Sequence, residues 1–377
     1  MFSKRVKDVP HSIPFFISEQ AAKLKSQGRD ISLFGAGETG FETPQYVIEA
    51  AKKAMDAGHT KYTAIAGILP LREAICKKLK EDNGLEYTPD QIVVSNGAKQ
   101  SLWNILYTLL DEGDEVIILA PYWLTYAELV RLAGGVPVEV RCTTEIKKAI
   151  TKRTKAAMIC TPNNPDGKVI PEKELRALAK DLKDTGLWLI SDEMYEKLIY
   201  DDAVHFSVAK VYDKTIVVNG LSKSNAMTGW RVGWTASCPE LASAMTRFQS
   251  HTTCNVNSIA QWAATEAYSN KVEQDKFVSM IRQSFDERRK YLIERLSTIP
   301  NISFVRPQGA FYAMVDVSKF GEAFEVSKQL LEHDVAAVPC ESFGAPGHIR
   351  LSYTLSMEDL KKGLDRIEKF FASKEVI

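Results

Sequence analysis

The chain has 377 residues, which is enough to bury a large core and to form two domains. Its 48 basic and 48 acidic residues give a formal net charge of zero, which argues against nonspecific binding to nucleic acid or to a membrane. Six cysteines lie far apart, without the spacing of a metal site or a disulfide framework, and no apolar run suits a membrane span or a signal peptide. We therefore expect reduced thiols and a cytoplasmic location.

The N-terminal region contains one pattern that suggests a dinucleotide. A short strand predicted at 31–34 leads into GAGETG at 35–40, which satisfies G-x-G-x-x-G. The context does not fit, because Thr43 as N-cap and Pro44 at the first position predict a helix that begins after the glycines. No second strand with an acidic end follows at the expected distance. A nicotinamide-dependent oxidoreductase is therefore disfavoured.

Strands and helices alternate through the middle of the chain. Apolar runs typical of buried strands lie at 92–95, 116–119, 136–140, 156–160, 188–191 and 215–218. With helices between most of them, these runs predict an α/β fold with a mostly parallel sheet that is flanked by helices on both faces. Ligands of such sheets bind beyond the carboxyl ends of the strands. Trp123, Asn164, Asp192 and Lys223 follow such runs, so we expect one edge of the sheet to gather them.

The second half of the sequence is mostly helical and ends in mixed elements. Helices are predicted at 239–247, 258–269, 272–296 and 357–371, with short strands before the last of them. This mixture predicts a smaller α+β domain that the N-terminal segment completes. We place the N-terminal arm and part of the small domain at 1–45, the large domain at 46–285 and the small C-terminal domain at 286–377.

Lys223 and its neighbours form the most informative segment. The β-branched run at 215–218 predicts a strand, which Ser222, Lys223 and, eight residues later, Arg231 follow. Partial desolvation at the end of a buried strand lowers the pKa of a lysine and makes its amine nucleophilic toward carbonyls. A hydroxyl and a guanidinium suit a phosphate. Together they suggest pyridoxal phosphate held as a Schiff base, although most lysines after strands are solvated loop residues.

A second anion-binding pattern lies in the turn after 92–95. Gly97 and Ala98 open a helix, whose free N–H groups and positive dipole end attract anions. On local grounds a purely structural turn is the alternative interpretation. Beside Lys223, we predict that Gly97, Ala98 and Lys99 form the phosphate cradle, which leaves the Lys99 side chain free for an anionic end of the substrate.

The string NGLSKSNAMTGWRVGW at 219–234 closely resembles the cofactor-lysine segment of the class I aminotransferases. The resemblance spans essentially the whole chain and is nearest to the bacterial-type aspartate aminotransferases. It implies the α/β, PLP-dependent transferase fold type I, with a mostly parallel sheet of the seven-stranded type plus a smaller α+β domain. It also implies a ping-pong transaminase that uses pyridoxal phosphate, in which Lys223 moves the substrate α-proton as general base and acid.

The resemblance assigns roles to five further side chains that suit this chemistry. Asp192 would pair with the pyridine nitrogen and keep it protonated. Tyr195 and Asn164 would donate hydrogen bonds to the phenolic oxygen of the ring. Trp123 would stack on the ring, and Arg350 would bind the substrate α-carboxylate as a bidentate fork. Each of these residues, taken singly, also has an ordinary structural interpretation.

Two loops gain a role from the resemblance. The backbone near Gly37 would contact the substrate carboxylate, and Tyr62 would reach the cofactor phosphate of the neighbouring subunit, which implies a homodimer with shared active sites. The chain departs from the family pattern at Thr39-Gly40, where Pro-Asp is usual, and at Asp166, where threonine is usual. We expect the departure at Thr39-Gly40 to affect the shape of the loop, and the departure at Asp166 to affect only a turn.

Aspartate or glutamate is the predicted amino donor. In the bacterial-type enzymes the lysine that matches Lys99 helps to read the distal carboxylate, assisted by hydroxyls of the arm. Here the arm offers Ser12, whereas Pro14 stands where threonine is frequent. His251, with the neighbouring Thr252 and Thr253, is a candidate for the entrance.

Three alternatives to an acidic-substrate aminotransferase remain open at this point. An aminotransferase for aromatic or neutral amino acids or for prephenate is the first. A β-lyase or decarboxylase on the same scaffold is the second. A ligand-sensing half of a transcription regulator is the third, and the neutral net charge disfavours it.

Overall fold

The computed structural model describes residues 13–376, and their side chains from residue 16 onward. The helices are α1 (Ile13–Ser26), α2 (Gln45–Asp56), α3 (Leu69–Asn83), α4 (Ala98–Leu109), α5 (Thr125–Leu132), α6 (Thr143–Ala149), α7 (Glu172–Leu182), α8 (Pro239–Thr252), α9 (Ser258–Ser269), α10 (Lys271–Leu296), α11 (Ala323–Glu332) and α12 (Met357–Ala372). The strands are β1 (Ser32–Leu33), β2 (Ile92–Asn96), β3 (Glu115–Leu119), β4 (Val136–Val140), β5 (Thr154–Cys160), β6 (Trp188–Asp192), β7 (Thr215–Gly220), β8 (Val232–Ala236), β9 (Ser303–Phe304), β10 (Tyr312–Asp316), β11 (Val335–Ala336), β12 (Val338–Pro339) and β13 (His348–Ser352).

A seven-stranded sheet lies at the centre of the fold. Its strand order is β2-β8-β7-β6-β5-β3-β4. The pairs from β7 to β4 are parallel, whereas β8 runs antiparallel to both β2 and β7. The predicted α/β fold with a mostly parallel, helix-flanked sheet of the seven-stranded type is confirmed. Strand β8 itself was not predicted from the sequence.

Apolar residues cover both faces of this sheet. In β7, Ile216 and Val218 pack into the cluster that contains α4 and α8, whereas Val217 packs into the cluster that contains α3 and α9. Successive side chains of a strand point to opposite faces, so a strand covered on both sides is apolar throughout. Each of these three residues is fully buried, and burying one such side chain contributes about 1.5–3 kcal/mol.

The C-terminal part of the chain builds two smaller sheets. β12, β13, β10 and β9 form an antiparallel sheet in that order, and β1 pairs in parallel with β11 through Ser32–Val335 and Leu33–Ala336. The N-terminal segment thus contacts the C-terminal part. The domain boundaries at 45/46 and 285/286 stay a prediction; the second falls within the continuous helix α10, where Phe285 is fully buried.

The start of α2 corrects one prediction. Pro44, not Thr43, is the N-cap residue, and it makes no side-chain cap hydrogen bond. The Thr43 hydroxyl instead donates to the Ala226 carbonyl at 2.7 Å and accepts from the Trp230 indole at 2.9 Å. These partners lie on the segment that follows Lys223, so Thr43 ties the N-terminal loop to that segment rather than capping its own helix.

A buried ionic network anchors the segment after β6. The Lys78 ammonium of α3 pairs with the Glu196 carboxylate, and both side chains are less than a tenth exposed. Asn83 donates to Glu196 at 2.7 Å. His205 lies 3.9 Å from Glu196 and 3.1 Å from Glu193. Burial opposes the ionisation of Glu196, but Lys78, His205 and Lys197 outweigh it and lower the pKa of Glu196 to about 2.

None of the helices within residues 13–376 combines the length and the apolar composition that crossing a bilayer requires.

Glu196→Gln is expected to destabilise the chain at pH 7 by about 3–5 kcal/mol, because the Lys78 charge stays buried without its counter-charge. The folded-state pKa of Glu196 lies below its ordinary value of 4.5, so its contribution is present above that pH and is lost as the pH falls toward about 2. Urea unfolding at fixed protein concentration should therefore show a difference from the native sequence that shrinks over this pH range.

The matched control is Glu172→Gln, which removes an exposed partner of Arg176 and should cost no more than about 1 kcal/mol. Equal losses in the two variants would contradict the role given to the buried network.

Candidate active site

A cavity of about 600 Å³ lies beyond the carboxyl ends of β5, β6 and β7. The predicted site residues that line it are Gly37, Ala98, Lys99, Trp123, Asn164, Asp192, Tyr195, Ser222, Lys223, Arg231 and Arg350. Residues that line it without having been predicted include Glu38, Leu124, Tyr126, Cys160, Thr228, Tyr312 and Phe343. As expected, the edge of the sheet where the strands end brings Trp123, Asn164, Asp192 and Lys223 together around one cavity.

Lys223 lies three residues beyond β7 and points into the cavity. Its ammonium donates to the Gly37 carbonyl at 2.6 Å. Burial lowers the pKa of Lys223 to about 8; Arg350 and Arg231 act in the same direction, and Glu38 and Asp192 oppose them. An amine with this pKa is deprotonated far more readily near neutral pH than an ordinary lysine, as a nucleophile and a proton carrier require.

Asp192 ends β6 and is held by two hydrogen bonds. Its carboxylate accepts from the Tyr126 hydroxyl at 2.7 Å and from the Met194 backbone N–H at 3.1 Å. Burial raises the pKa of Asp192 to about 6, while both hydrogen bonds and the Lys223 charge limit the rise. Asp192 is therefore a buried carboxylate that keeps its charge near neutral pH and can pair with a cationic group in the cavity.

Arg350 lies on β13, and two of the five N–H groups of its guanidinium donate to acceptors of the chain. Its Nη1 donates to Asn164 Oδ1 at 3.0 Å and its Nη2 to the Gly35 carbonyl at 3.1 Å. The buried Nε has no hydrogen-bond partner among the described residues. Arg350 lines the cavity, so its guanidinium is placed to bind an incoming carboxylate. The Asn164 oxygen is occupied by Arg350, which leaves the Asn164 amide nitrogen as the donor toward the cavity.

The other end of the cavity is built around Arg231 and the start of α4. Arg231 has φ +56°, an uncommon conformation for a residue with a side chain, and its guanidinium donates to the Thr228 carbonyl at 2.9 Å. Gly97 has φ +81°, and a Cβ there would clash with the Arg231 guanidinium. Gly97 therefore allows the arginine to lie against the first turn of α4, whose leading N–H groups have no helical partners.

Lys99 and Trp123 form one wall. The Lys99 ammonium lies 5.0 Å from the centroid of the Trp123 ring. Desolvation in the cleft and the Arg231 charge lower the pKa of Lys99. These groups, with the flat face of Trp123, the unpaired Arg350 donor and the cradle beside Gly97, fit a planar ligand that carries a phosphate and a carbonyl. Pyridoxal phosphate has these features.

Some predicted residues lie elsewhere. Tyr62 is 89% exposed and does not line this cavity, and His251 does not line it either. Ser12 lies outside the described residues, as does the side chain of Pro14. The Gly37 carbonyl accepts from Lys223, and a carbonyl cannot donate, so the predicted contact with a carboxylate would have to come from a backbone N–H of this loop.

Two tyrosines of the site were missed. Tyr126 lies three residues after Trp123, a spacing that places it on the adjoining first turn of α5 and could have indicated its role. Tyr312 lies on β10, where its Oη is 3.2 Å from Tyr195 Oη. Its sequence offers no signal of its own, because a tyrosine in an apolar strand is typical of a packed core.

Comparisons with known proteins agree on one family. The family model described as aminotransferase class I and II matches residues 29–367. The aspartate aminotransferase of Bacillus sp. strain YM-2 is 42% identical, and the match covers 98% of this chain and 99% of the relative. The aspartate/prephenate aminotransferase of Thermus thermophilus is also 42% identical, with coverage of 97% and 98%. Among solved structures, the aspartate aminotransferase from Thermus thermophilus with maleate has a TM-score of 0.95, 42% identity and coverage of 98% and 99%.

Tyr126→Phe is expected to raise the pKa of Asp192 further above about 6, because it removes a hydrogen bond that stabilises the carboxylate. Infrared difference spectra of the cofactor-free protein over a pH series should show the protonated-carboxyl band at higher pH than in the native sequence. Asp192→Asn identifies the band by removing it.

Tyr122→Phe is the matched control, because the Tyr122 hydroxyl donates to Glu139 instead. A titration of the Asp192 band that is the same in Tyr126→Phe as in Tyr122→Phe would contradict the role given to Tyr126.

Proposed function

Because the chain belongs to the class I and II aminotransferases, which depend on pyridoxal phosphate, we propose that it transfers the amino group of L-aspartate or L-glutamate to a 2-oxo acid. The predicted family, cofactor and transaminase activity are confirmed by the matches. The choice of an acidic amino acid is the proposal, and the position of Lys99 supports it most directly.

The charges that line the cavity support a dicarboxylic substrate. Cofactor and acidic amino acid together present three anionic groups: one phosphate and two carboxylates. Besides Lys223, the cavity offers three cationic side chains, those of Arg231, Arg350 and Lys99. We assign Arg231 to the phosphate, Arg350 to the α-carboxylate and Lys99 to the distal carboxylate. Maleate, named with the Thermus thermophilus structure, is itself a dicarboxylate.

When bound, pyridoxal phosphate supplies an electron sink for the carbon that loses its proton. Asp192 would keep a proton on the ring nitrogen by its negative charge, and Trp123 would stack on the ring. Arg350 would hold the substrate by its α-carboxylate, and the Lys223 amine would take the α-proton and return it to the cofactor carbon on the other side of the amino nitrogen. A pKa of about 8 suits Lys223 to both directions of this transfer. The amide nitrogen of Asn164 and the hydroxyl of Tyr195 would donate to the ring oxygen.

Prephenate is the second candidate, as the oxo acid in the name of the Thermus thermophilus relative. It carries a second carboxylate on a ring, so the Lys99 ammonium beside the Trp123 ring would serve it as well. Lys99 is therefore compatible with either substrate, and measured rates with each of them will show which one the enzyme prefers.

We further propose a homodimer in which Tyr62 completes the site of the partner subunit. A second cavity of about 780 Å³ adjoins the first, and Arg231 lines both, so this cavity leads to the phosphate end. The Tyr62 side chain projects from the surface with 89% of its area exposed. A phenol hydroxyl that enters the second cavity of another subunit would reach an Arg231-bound phosphate as a further donor.

We also propose that the protein works in the cytoplasm. Within the described residues the cysteines form no disulfide, and Cys160 and Cys340 are buried thiols. Burial raises the pKa of both, which makes these thiols inert.

The purified protein with bound pyridoxal phosphate should change its cofactor absorption band on addition of L-aspartate and release the corresponding 2-oxo acid with its carbon count retained. Lys99→Met should raise the KM for aspartate by about ten- to a hundredfold, as expected when a charge-assisted contact of about 1.5–3 kcal/mol is lost. The KM for L-alanine or L-phenylalanine should stay within about twofold, because these substrates offer Lys99 no distal carboxylate.

Lys80→Met, a change at an exposed lysine, is the control. A band that responds to phenylalanine but not to aspartate would overturn the substrate class and keep the transaminase. A decarboxylated or β-eliminated product would overturn transamination as the main reaction. Prephenate with glutamate as donor is the direct assay of the second candidate.

The shared site is tested by mixing subunits. Lys223→Ala and Tyr62→Ala proteins, each of low activity, are unfolded together and refolded. If Tyr62 serves the partner, the mixed dimer contains one site with both Lys223 and Tyr62 intact, and activity rises well above that of either variant. If each Tyr62 served its own subunit, no site would combine both, and mixing would restore nothing.

A further inference from the structure

Tyr312 contacts two residues of the site at once. Its hydroxyl oxygen is 3.2 Å from that of Tyr195, and its ring lies 4.4 Å from the guanidinium carbon of Arg350. The tyrosine is 1% exposed. One side chain thus contacts both the phenol assigned to the ring oxygen and the arginine assigned to the substrate carboxylate.

The strand register explains this placement. Tyr312 on β10 lies opposite Ser352 of β13, and Arg350 is two residues from Ser352, so both side chains share one face of the antiparallel sheet. Tyr195, in contrast, follows β6 of the seven-stranded sheet. The hydrogen bond between the two tyrosines therefore links the segment after β6 to the antiparallel sheet in the wall of the cavity.

The chemistry of a phenol gives this bond a direction. Tyr195 has one hydroxyl proton, and donating it to the ring oxygen leaves only lone pairs for Tyr312. Burial raises the pKa of both phenols, so Tyr312 also keeps its hydroxyl proton near neutral pH and has one to donate. Tyr312 therefore donates to Tyr195, and a hydroxyl that accepts a hydrogen bond is polarised into a stronger donor.

We propose that Tyr312 is a positioning residue, which donates to Tyr195, directs the Tyr195 proton toward the ring oxygen of the cofactor, and couples that hydrogen bond to the charge on Arg350. The inference deepens the proposed function and rests on it. A carboxylate bound by Arg350 neutralises the cation beside the Tyr312 ring, weakens Tyr312 as a donor, and so weakens the bond that Tyr195 makes.

The test is a spectroscopic pH titration of the cofactor bound to the native sequence, Tyr312→Phe and Tyr195→Phe, each with and without maleate as an unreactive dicarboxylate. A donor to the ring oxygen favours its deprotonated form. Tyr312→Phe should therefore raise the apparent pKa of the cofactor band by about 0.2 to 0.5, less than Tyr195→Phe does. The change that maleate causes in this pKa should be smaller in Tyr312→Phe than in the native sequence.

Tyr353→Phe is the matched control, because it is a fully buried tyrosine of the same region whose hydroxyl donates to the Ala310 carbonyl. It should leave the band unchanged. In a Tyr195→Phe background, Tyr312→Phe should add no further change, since Tyr312 acts through Tyr195.

Three results would overturn the inference: an unchanged titration in Tyr312→Phe, an equal change in Tyr353→Phe, or a full additional change on top of Tyr195→Phe. Thermal unfolding of each variant is recorded in parallel, and a lowered Tm with an unaltered band would leave Tyr312 a packing role. Failure of the native sequence to show any cofactor band would instead bring down the proposed function.

Discussion

The removal of several charges from water within one cavity is the constraint on which the rest of the structure depends. Lys223, Asp192 and Arg350 are all desolvated there, and an unpaired ion in such a place costs several kcal/mol. Each is held by a partner from a different part of the chain: the loop after β1, helix α5 and the turn after β5. Parallel strand ends and the smaller antiparallel sheet must therefore meet at fixed distances. The fold sets the distances between these charged side chains and their partners.

Much of this arrangement could be predicted because it follows from patterns of residues that are neighbours in the sequence. Strands covered on both faces are apolar along their length, as Ile216, Val217 and Val218 show, so the sheet is visible as a series of apolar runs. Residues just past those runs share one edge for topological reasons, which is why Asp192 and Lys223 line one cavity. The resemblance of the segment around Lys223 then identified the chemistry.

What could not be predicted depends on contacts between distant residues. Tyr126 bonds a residue 66 positions away and Tyr312 one 117 positions away, and a tyrosine in an apolar element has the same local pattern whether it packs or donates. Thr43 is a residue type typical of a helix N-cap, but its hydroxyl hydrogen-bonds to residues that are distant in the sequence instead. β8 was missed because its glycine, Gly233, weakens the strand pattern; a Cβ there would clash with the Ala98 backbone at the start of α4.

The departure from the family pattern at Thr39-Gly40 has a physical reason in this fold. Gly40 has φ +69°, and a Cβ there would lie 2.8 Å from the Thr354 carbonyl oxygen, a contact that real side chains do not make. Glycine therefore lets the loop that carries Gly37 lie directly on the segment after β13, the strand of Arg350. An aspartate at this position would need a different loop path. In this chain the Gly40 backbone lies against the segment after β13, and the Gly37 carbonyl of the same loop accepts from Lys223.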